Sequence, residues 1–438
     1  MPCLDWPLKW TNQKGRTCSL AKSLLQLNEN CEVVFSDVLV HPELLEGFRL
    51  RLVFGALLAF ICFLYDVTRV ETQQAMPPLR SEELQKRLAT SLEGLASGDT
   101  PGFAVLVKQN GKILFKQGFG LGDLRGRRKI DADTNFRLAS CTKQFAAMAI
   151  MLLVHDGKLR YDETLPEIFS EFPAYGRSIT VRSLLNHTSG LPDYEDLMDA
   201  AEKSQGAIWS PDQQIRDKEV LQLLENEGHG KFTPGKQWEY SNSGYVLLGL
   251  IVAKRSGRPF GDFLQERIFA PLKMEHTLVF EKGKNQVVDR AYGHSRTNGA
   301  FVETDQSSTS ATQGDGGVYS NLEDLSKWDE ALRGHSLLGE KEFAAAITPA
   351  GLPAGAEQKL ADDAPESLRG KAAAYGFGWF LDLKARHPLM WHYGDTMGFK
   401  SAILRYLDSN VTVIVLCNRT DLDAGGLALK LADVMSQN

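Results

Sequence analysis

A serine and a lysine stand at i and i+3 where an apolar segment of the chain begins. Ser140 and Lys143 are followed by residues 146–154, a run of Ala, Leu and Met with one Ile and one Val. Because β-branched residues are scarce, this run predicts a buried helix that begins near Ser140. Residues at i and i+3 share one helix face, which would bring the hydroxyl and the amine together. A serine beside a lysine in a buried place can act as a nucleophile with its own base.

The surroundings predicted for this pair favour that chemistry. Burial and the positive end of the helix dipole both disfavour an ammonium ion, so Lys143 could accept the proton of Ser140. The backbone N–H of Ser140 lies in the first turn and would point at the anion that forms on an attacked carbonyl group, as half of an oxyanion hole. The same spacing recurs at Ser19 and Lys22. The Ser-x-x-Lys pattern alone therefore does not identify an active site.

A tyrosine and an asparagine precede a later helical pattern. Tyr240 and Asn242 come just before an apolar helix predicted over residues 245–255. Asn242 or Ser243 could simply cap that helix. A cap does not account for Tyr240, whose phenol could relay a proton to a leaving group. The Asn242 amide would then hold a substrate amide or orient Lys143.

A third polar group opens the C-terminal strands. His392 and Gly394 are separated by one residue, and Asp395 follows. Glycine lets an edge strand approach a substrate backbone closely, and the N–H of Asp395 could be the second oxyanion donor. His392 could donate a hydrogen bond to a substrate carboxylate or to the Tyr240 network. A purely structural role for His392 is the alternative.

The elements that must position these groups lie at the two ends of the chain and between them. Strand patterns at both ends predict an antiparallel sheet that the two termini complete, with a helical subdomain inserted at about residues 155–310. Asn110-Gly111 predicts one hairpin turn, and Asp408-Ser409-Asn410 predicts a second, between the last two strands. The predicted strands are 103–107, 113–115, 377–383, 401–406 and 411–417. The predicted helices include one from Ser81, a short one within 181–192 that Gly190 and Pro192 stop, and those at 218–225, 245–255, 263–268 and 427–435.

Composition excludes several classes of protein. The chain has 438 residues, 43% of them hydrophobic and 24% charged, with a net charge of -6. These values are typical of a soluble globular protein and give no indication of nucleic-acid binding. The sequence contains no C-x-x-C pair and no H-E-x-x-H motif, so it predicts neither a disulfide framework nor a zinc site.

The first 75 residues differ from the rest. Residues 1–47 show no periodicity and are interpreted as an unstructured extension or as the product of an over-extended reading frame. Residues 48–75 contain a charge-free apolar run, 52–65, of the length expected for a signal-peptide core. An uncleaved membrane anchor and a buried helix are the alternatives. Residues 76–438 would form the catalytic domain of an exported, periplasmic or secreted protein.

Taken together, the three motifs resemble those of the penicillin-recognising serine hydrolases. The chain is most similar to the branch that holds class C β-lactamases, D-alanyl-D-alanine carboxypeptidases and β-lactamase-like esterases, and residues 184–191, 314–325 and 375–379 are also typical of it. The resemblance implies an α+β, β-lactamase/transpeptidase-like fold, in which an antiparallel sheet has flanking helices and an inserted all-helical subdomain. It implies no metal and no organic cofactor. It implies that Ser140 is acylated, Lys143 is its base and Tyr240 the proton relay. Asn242, His392 and Gly394 would contact the substrate.

One departure from the family pattern bears on the substrate. True β-lactamases of this branch usually carry a lysine where this chain has His392, and a free histidine is mostly neutral above pH ~6.5. We therefore expect a serine hydrolase of the D-Ala peptidase or esterase type, acting on a small-molecule or peptide amide or ester. A class C-like β-lactamase is the alternative enzyme. A non-catalytic binding or assembly module on the same fold is the alternative from another class.

Overall fold

The computed structural model describes residues 9–11, 17–19, 81–355, 358–359 and 374–436. The chain divides into two compact units, Met1–Met76 and Pro77–Asn438. In the first unit Lys9–Thr11 pairs antiparallel with Thr17–Ser19, inside the stretch for which no element was predicted. The apolar run 52–65, interpreted above as a signal peptide or anchor, lies outside the described residues. Within the described ranges, no helix is long and apolar enough to cross a membrane.

A seven-stranded sheet in the second unit is built from both of its ends. The central pair joins Phe103–Gln109 to Val411–Cys417, with Phe103 opposite Cys417. This arrangement confirms the predicted antiparallel sheet that early and late strands complete together. In spatial order the seven strands are Ala374–Tyr375, Phe380–Asp382, Leu389–Thr396, Phe399–Tyr406, Val411–Cys417, Phe103–Gln109 and Lys112–Phe119.

Two tight turns fix the register of this sheet. Asn110 and Gly111 both take positive φ values, 50° and 78°, as the preferred two-residue hairpin turn requires. Asn410 likewise has a φ of 49° in the turn between Phe399–Tyr406 and Val411–Cys417. Both predicted hairpins are therefore confirmed, because the chemistry of a short turn is local and can be read from the residues in it.

The predicted strand at 377–383 is shorter in the structure. Only Phe380–Asp382 is a strand, and Ala374–Tyr375 forms a separate short one. Between them Gly378 has a φ of 77°, and a Cβ there would lie 2.7 Å from the Cα of Gln144. The chain turns sharply at this glycine because it must pass the backbone of the Lys143–His155 helix.

Helices flank the sheet and enclose the core. Ala424–Ser436 packs on the strands and against Ser81–Thr90. Lys143–His155 is buried from Lys143 to Leu153, as its apolar sequence predicts, and packs against Asn242–Ser256. The remaining α-helices are Leu165–Ile168, Val181–Leu185, Tyr194–Gln205, Asp217–Asn226, Phe260–Leu264, Leu322–Arg333 and Glu340–Phe343.

The inserted segment at about 155–310 is mainly helical, but the prediction that it is all-helical is wrong. His294–Thr297 and Ala300–Glu303 form an antiparallel hairpin across Asn298-Gly299, both of which take positive φ values. Short strands outside the seven-stranded sheet are Leu121–Asp123, Arg128–Lys129, Phe136–Arg137, Trp238–Glu239, Leu278–Val279, Val318–Ser320 and Gln358–Lys359.

Candidate active site

The nucleophile candidate lies on a tight turn that precedes the helix. Ala139–Thr142 is a 3-10 turn, and the α-helix begins only at Lys143, three residues later than the sequence predicts. Ala139 enters the turn with a φ of 49°. In a 3-10 turn residues i and i+3 eclipse each other, so Lys143 stands directly over Ser140. The distance from Lys143 Nζ to Ser140 Oγ is 3.0 Å.

Hydrogen bonds from neighbouring segments hold this turn in place, and Ser140 is its only residue that is partly exposed. The N–H of Leu138 donates to the carbonyl of Val318, and the hydroxyl of Ser401 donates to the carbonyl of Leu138 at 2.7 Å. Ala139 and Cys141 are buried, whereas Ser140 is half-buried. Burial also raises the pKa of the Cys141 thiol to about 12, so the cysteine beside the nucleophile stays protonated.

Lys143 is fully buried and contacts three oxygen atoms. Besides Ser140 Oγ, its Nζ lies 2.8 Å from Asn242 Oδ1 and 3.1 Å from the carbonyl oxygen of Asp315. The last two oxygens can only accept hydrogen bonds. A neutral amine would donate one hydrogen bond to each of them and would turn its lone pair towards the Ser140 hydroxyl. The geometry therefore suits proton transfer from serine to lysine.

Tyr240 and Asn242 flank the true cap of their helix. Ser241 is the N-cap of Asn242–Ser256, since its hydroxyl accepts from the N–H of Gly244 at 3.1 Å. The alternative that Asn242 or Ser243 caps the helix is therefore wrong. The side chain of Asn242 does not cap the helix and instead accepts a hydrogen bond from Lys143. The half-buried Tyr240 places its ring centroid 4.8 Å from the same amine.

His392 is brought near this group, but its ring faces the protein interior. Its Nδ1 lies 2.6 Å from the carbonyl oxygen of Tyr393, so Nδ1 carries the proton and Nε2 accepts from the Tyr375 hydroxyl at 2.9 Å. Both ring nitrogens are thus committed, and the predicted donation to a substrate carboxylate is not available. The ring lies 6.3 Å from that of Tyr240. Burial and the charge of Lys143 lower the pKa of His392 to about 3.

Gly394 and Asp395 follow on the same strand, where it passes the serine turn. A Cβ on Gly394 would lie 2.2 Å from the carbonyl oxygen of Leu138, so only glycine fits. The side chain of Asp395 pairs with Lys400 at 2.7 Å. Phe380–Asp382 pairs with residues 389–391, so beyond them this side of the strand has no sheet partner within the described ranges. The oxyanion role of the Asp395 N–H stays a prediction.

Three contributors to the site were not assigned a functional role from the sequence. Asp315 holds Lys143 through its backbone carbonyl, Tyr375 bonds His392, and His187 packs its ring 4.5 Å from that of Tyr240. All three lie in the segments 184–191, 314–325 and 375–379, which resemble the family but to which the sequence assigns no chemical role. Their presence in those segments was the only feature of the sequence that pointed to them. The contact of Asp315 could not be predicted from its residue type, because it is made by a backbone carbonyl group.

Substitution of Gly394 by alanine should destabilise the protein by about 2 kcal/mol or more, because the added methyl group overlaps the backbone of the serine turn. Urea unfolding measures this loss. The matched control is Gly98→Ala, where a Cβ would meet nothing within 4 Å. Equal unfolding free energies for the two variants would contradict the close approach of strand and turn.

The stability of the protein should fall as the pH drops through the range in which free histidine titrates. His392 has an ordinary pKa of 6.5 and a folded value of about 3, so between these limits the unfolded chain binds a proton that the folded chain does not. This residue should therefore contribute a slope of about 1.4 kcal/mol per pH unit. Urea unfolding at several pH values should show a shallower slope for His392→Gln. The exposed His229→Gln variant should keep the wild-type slope, and parallel slopes for all three proteins would refute the burial of a neutral His392.

An antiparallel sheet with an inserted, mainly helical segment, and with a half-buried serine beside a buried lysine at their junction, is the β-lactamase/transpeptidase-like arrangement. The sequence model of the Beta-lactamase family matches residues 84–434, so the chain belongs to that family. Its known members include penicillin-binding proteins, amidases and esterases, which are serine hydrolases.

Individual relatives agree with this assignment. The chain is 31% identical to penicillin-binding protein 4* of Bacillus subtilis over 77% of its own length and 72% of that protein. Its structure is similar to a penicillin-binding protein from Bacillus halodurans, with 27% identity, a TM-score of 0.65 and coverage of 79% and 99%. It is also similar to the D-amino acid amidase from Ochrobactrum anthropi SV3, with 25% identity, a TM-score of 0.64 and coverage of 81% and 98%.

Proposed function

We propose that this protein hydrolyses esters or amides through an acyl-enzyme at Ser140. The observation that carries the proposal is the 3.0 Å contact between Ser140 Oγ and the buried Nζ of Lys143. The amine takes the hydroxyl proton while Oγ forms a bond to the substrate carbonyl carbon. Tyr240 lies beside the same amine and passes a proton to the leaving group as the old bond breaks. Water then cleaves the acyl-serine ester and regenerates the hydroxyl.

The developing oxyanion needs hydrogen-bond donors. The N–H of Ser140 is in the first turn of its helical segment and has no acceptor within that turn. The N–H of Asp395 is the second candidate, on the strand that passes the turn. Two backbone donors in a closed site stabilise a tetrahedral intermediate without reorganisation of water.

The substrate class that we favour depends on the absence of a positive charge on His392. A neutral imidazole, bonded on both sides within the protein, offers no cation to a substrate carboxylate. We therefore favour a peptidase-, amidase- or esterase-like activity over a dedicated β-lactamase. The name of the D-amino acid amidase relative supports amides as one substrate class. A β-lactamase and a non-catalytic binding module remain the alternatives that the experiment must separate.

Rapid-quench mass spectrometry of the intact protein tests the proposal. During turnover of a short-chain p-nitrophenyl ester, the protein should gain the mass of one acyl group, mapped by peptide digestion to Ser140. A parallel incubation with a penicillin separates the enzyme classes: a stable adduct indicates a peptidase-like enzyme, and loss of the drug without an adduct indicates a β-lactamase. No ester hydrolysis, no drug loss and no adduct of any kind would refute the hydrolase and leave the binding module.

We also propose that the protein is exported by means of the apolar run 52–65. The run follows Arg49 and Arg51, as a signal-peptide core follows its basic segment. Fractionation of the producing cells and N-terminal sequencing of the protein test this proposal. Export with cleavage predicts a first residue near position 76. An intracellular protein that keeps residues 52–65 would contradict it.

A further inference from the structure

His187 holds the chain on both sides of Tyr240. Its backbone carbonyl accepts a hydrogen bond from the N–H of Glu239 at 3.1 Å. Its Nδ1 accepts one from the N–H of Ser241, also at 3.1 Å. The residue between these two amides is Tyr240. One residue, just past the Val181–Leu185 helix, therefore fixes the segment that carries the proton relay.

The backbone of His187 makes this double contact geometrically possible. Its φ is 61°, a left-handed conformation that His, Asn and Asp adopt more readily than other residues with side chains. The reversal of the chain at this point brings the carbonyl and the ring to the same neighbouring segment. The carbonyl contact uses no side-chain atom, whereas the other contact needs a side chain with an acceptor at the Nδ1 position.

The ring makes no other hydrogen bond within the described ranges. Because Nδ1 accepts, the proton of the neutral ring is on Nε2, which is buried without a hydrogen-bond partner. Burial, then the charge of Lys143, holds the pKa of His187 well below its ordinary value. Four aromatic rings surround the imidazole: Tyr375 at 4.4 Å, Tyr240 at 4.5 Å, Tyr245 at 5.1 Å and Trp238 at 5.7 Å.

We infer that His187 is a positioning residue for proton transfer to the leaving group. Its ring fixes Ser241, which lies between Tyr240 and Asn242 and caps the helix that Asn242 begins. This inference rests on the proposed acyl-enzyme function and adds a residue that does not touch the substrate. Without the ring contact, the N–H of Ser241 would lose its acceptor and the backbone that follows Tyr240 would be less firmly fixed. A displacement of about 1 Å in such a group can cost about 10²-fold in rate.

Two substitutions with the same side-chain branching differ in whether they carry a hydrogen-bond acceptor. Asparagine places Oδ1 at the same bond distance from Cβ as Nδ1 of histidine, and it tolerates positive φ. Leucine has the same branching but no acceptor. His187→Asn should therefore keep the Ser241 contact, and His187→Leu should lose it.

The readout is the dependence of kcat/KM, which reports the acylation step, on the leaving group. A p-nitrophenolate leaves without a proton, whereas the alkoxide of an ethyl ester needs one. With the same acyl group, His187→Leu should lower kcat/KM for the ethyl ester by about 10²-fold and for the p-nitrophenyl ester by at most about tenfold. Tyr240→Phe should give the same selectivity, and His187→Asn should remain close to wild type for both esters.

The outcomes that overturn the inference are distinct from failure of the proposed function. Equal losses for the two esters, or equal rates for the Asn and Leu variants, would give His187 a structural role only. Hydrolysis that persists in Ser140→Ala would instead refute the proposed function. If His187→Leu does not fold, His187→Gln replaces it, since its acceptor lies one bond further out, at the Nε2 position. Thermal melts and circular dichroism confirm that each variant is folded at the assay temperature.

Discussion

Replacing Ser140 by alanine should lower kcat for ester hydrolysis by about 10⁴-fold or more, to the level of the uncatalysed reaction with bound substrate. The reason is chemical: without Oγ no acyl-enzyme can form, and Lys143 has no proton to accept. The substitution removes one half-buried hydroxyl, so the fold should persist. Steady-state kinetics with p-nitrophenyl esters, together with the loss of the acyl adduct, measure the effect.

The matched control for this variant is Ser204→Ala. Ser204 is exposed and donates to the carbonyl of Ala201 within its own helix. It should keep wild-type kcat and KM. Retention of more than about one hundredth of the activity in Ser140→Ala would assign the nucleophile to another residue.

Replacing Lys143 by methionine should lower kcat by about 10³- to 10⁴-fold, because the base that activates Ser140 is lost while the aliphatic stem is kept. Stability should fall as well. The carbonyl oxygens of Asn242 and Asp315 lose a donor, at a cost of about 1–3 kcal/mol for each group left unsatisfied. Kinetics must therefore be measured well below the melting temperature of the variant.

Lys327→Met controls for the loss of a lysine that also makes several contacts. Lys327 pairs with Asp324 at 2.8 Å and donates to the carbonyl of Lys273, away from the serine turn. This variant should retain wild-type kcat. A Lys143→Met variant within tenfold of wild-type kcat would mean that another group, or water, takes the proton of Ser140.

Features determined by neighbouring residues were predictable from the sequence. The predicted contact between Ser140 and Lys143 depends only on a helical turn between them. In the structure Ser140 Oγ and Lys143 Nζ are 3.0 Å apart. The Asn110-Gly111 hairpin depends on the ability of two residues to adopt positive φ. The buried character of Lys143–His155 follows from its lack of a polar face.

Features determined by distant residues were not predictable. The interior orientation of the His392 ring is set by Tyr375, which a turn at Gly378 brings into reach. The carbonyl of Asp315 contacts Lys143 through backbone atoms, whose position depends on the path of the chain and not on residue type. The start of the helix at Lys143 instead of Ser140 likewise reflects the fixing of Leu138 by Val318 and Ser401.

The pairing of Phe103–Gln109 with Val411–Cys417 limits how early the sheet can form during synthesis of the protein. Because the centre of the sheet joins an early strand of the domain to a late one, Phe103–Gln109 has no partner on that side until residues 411–417 have left the ribosome. Contacts of such long sequence separation form slowly and late. The strand that carries His392 and Gly394 joins the sheet through Phe399–Tyr406. A nascent chain therefore carries Ser140 and Lys143 long before it carries the strand that completes their site. We therefore expect the proposed hydrolytic activity only after residues 389–417 have been synthesised.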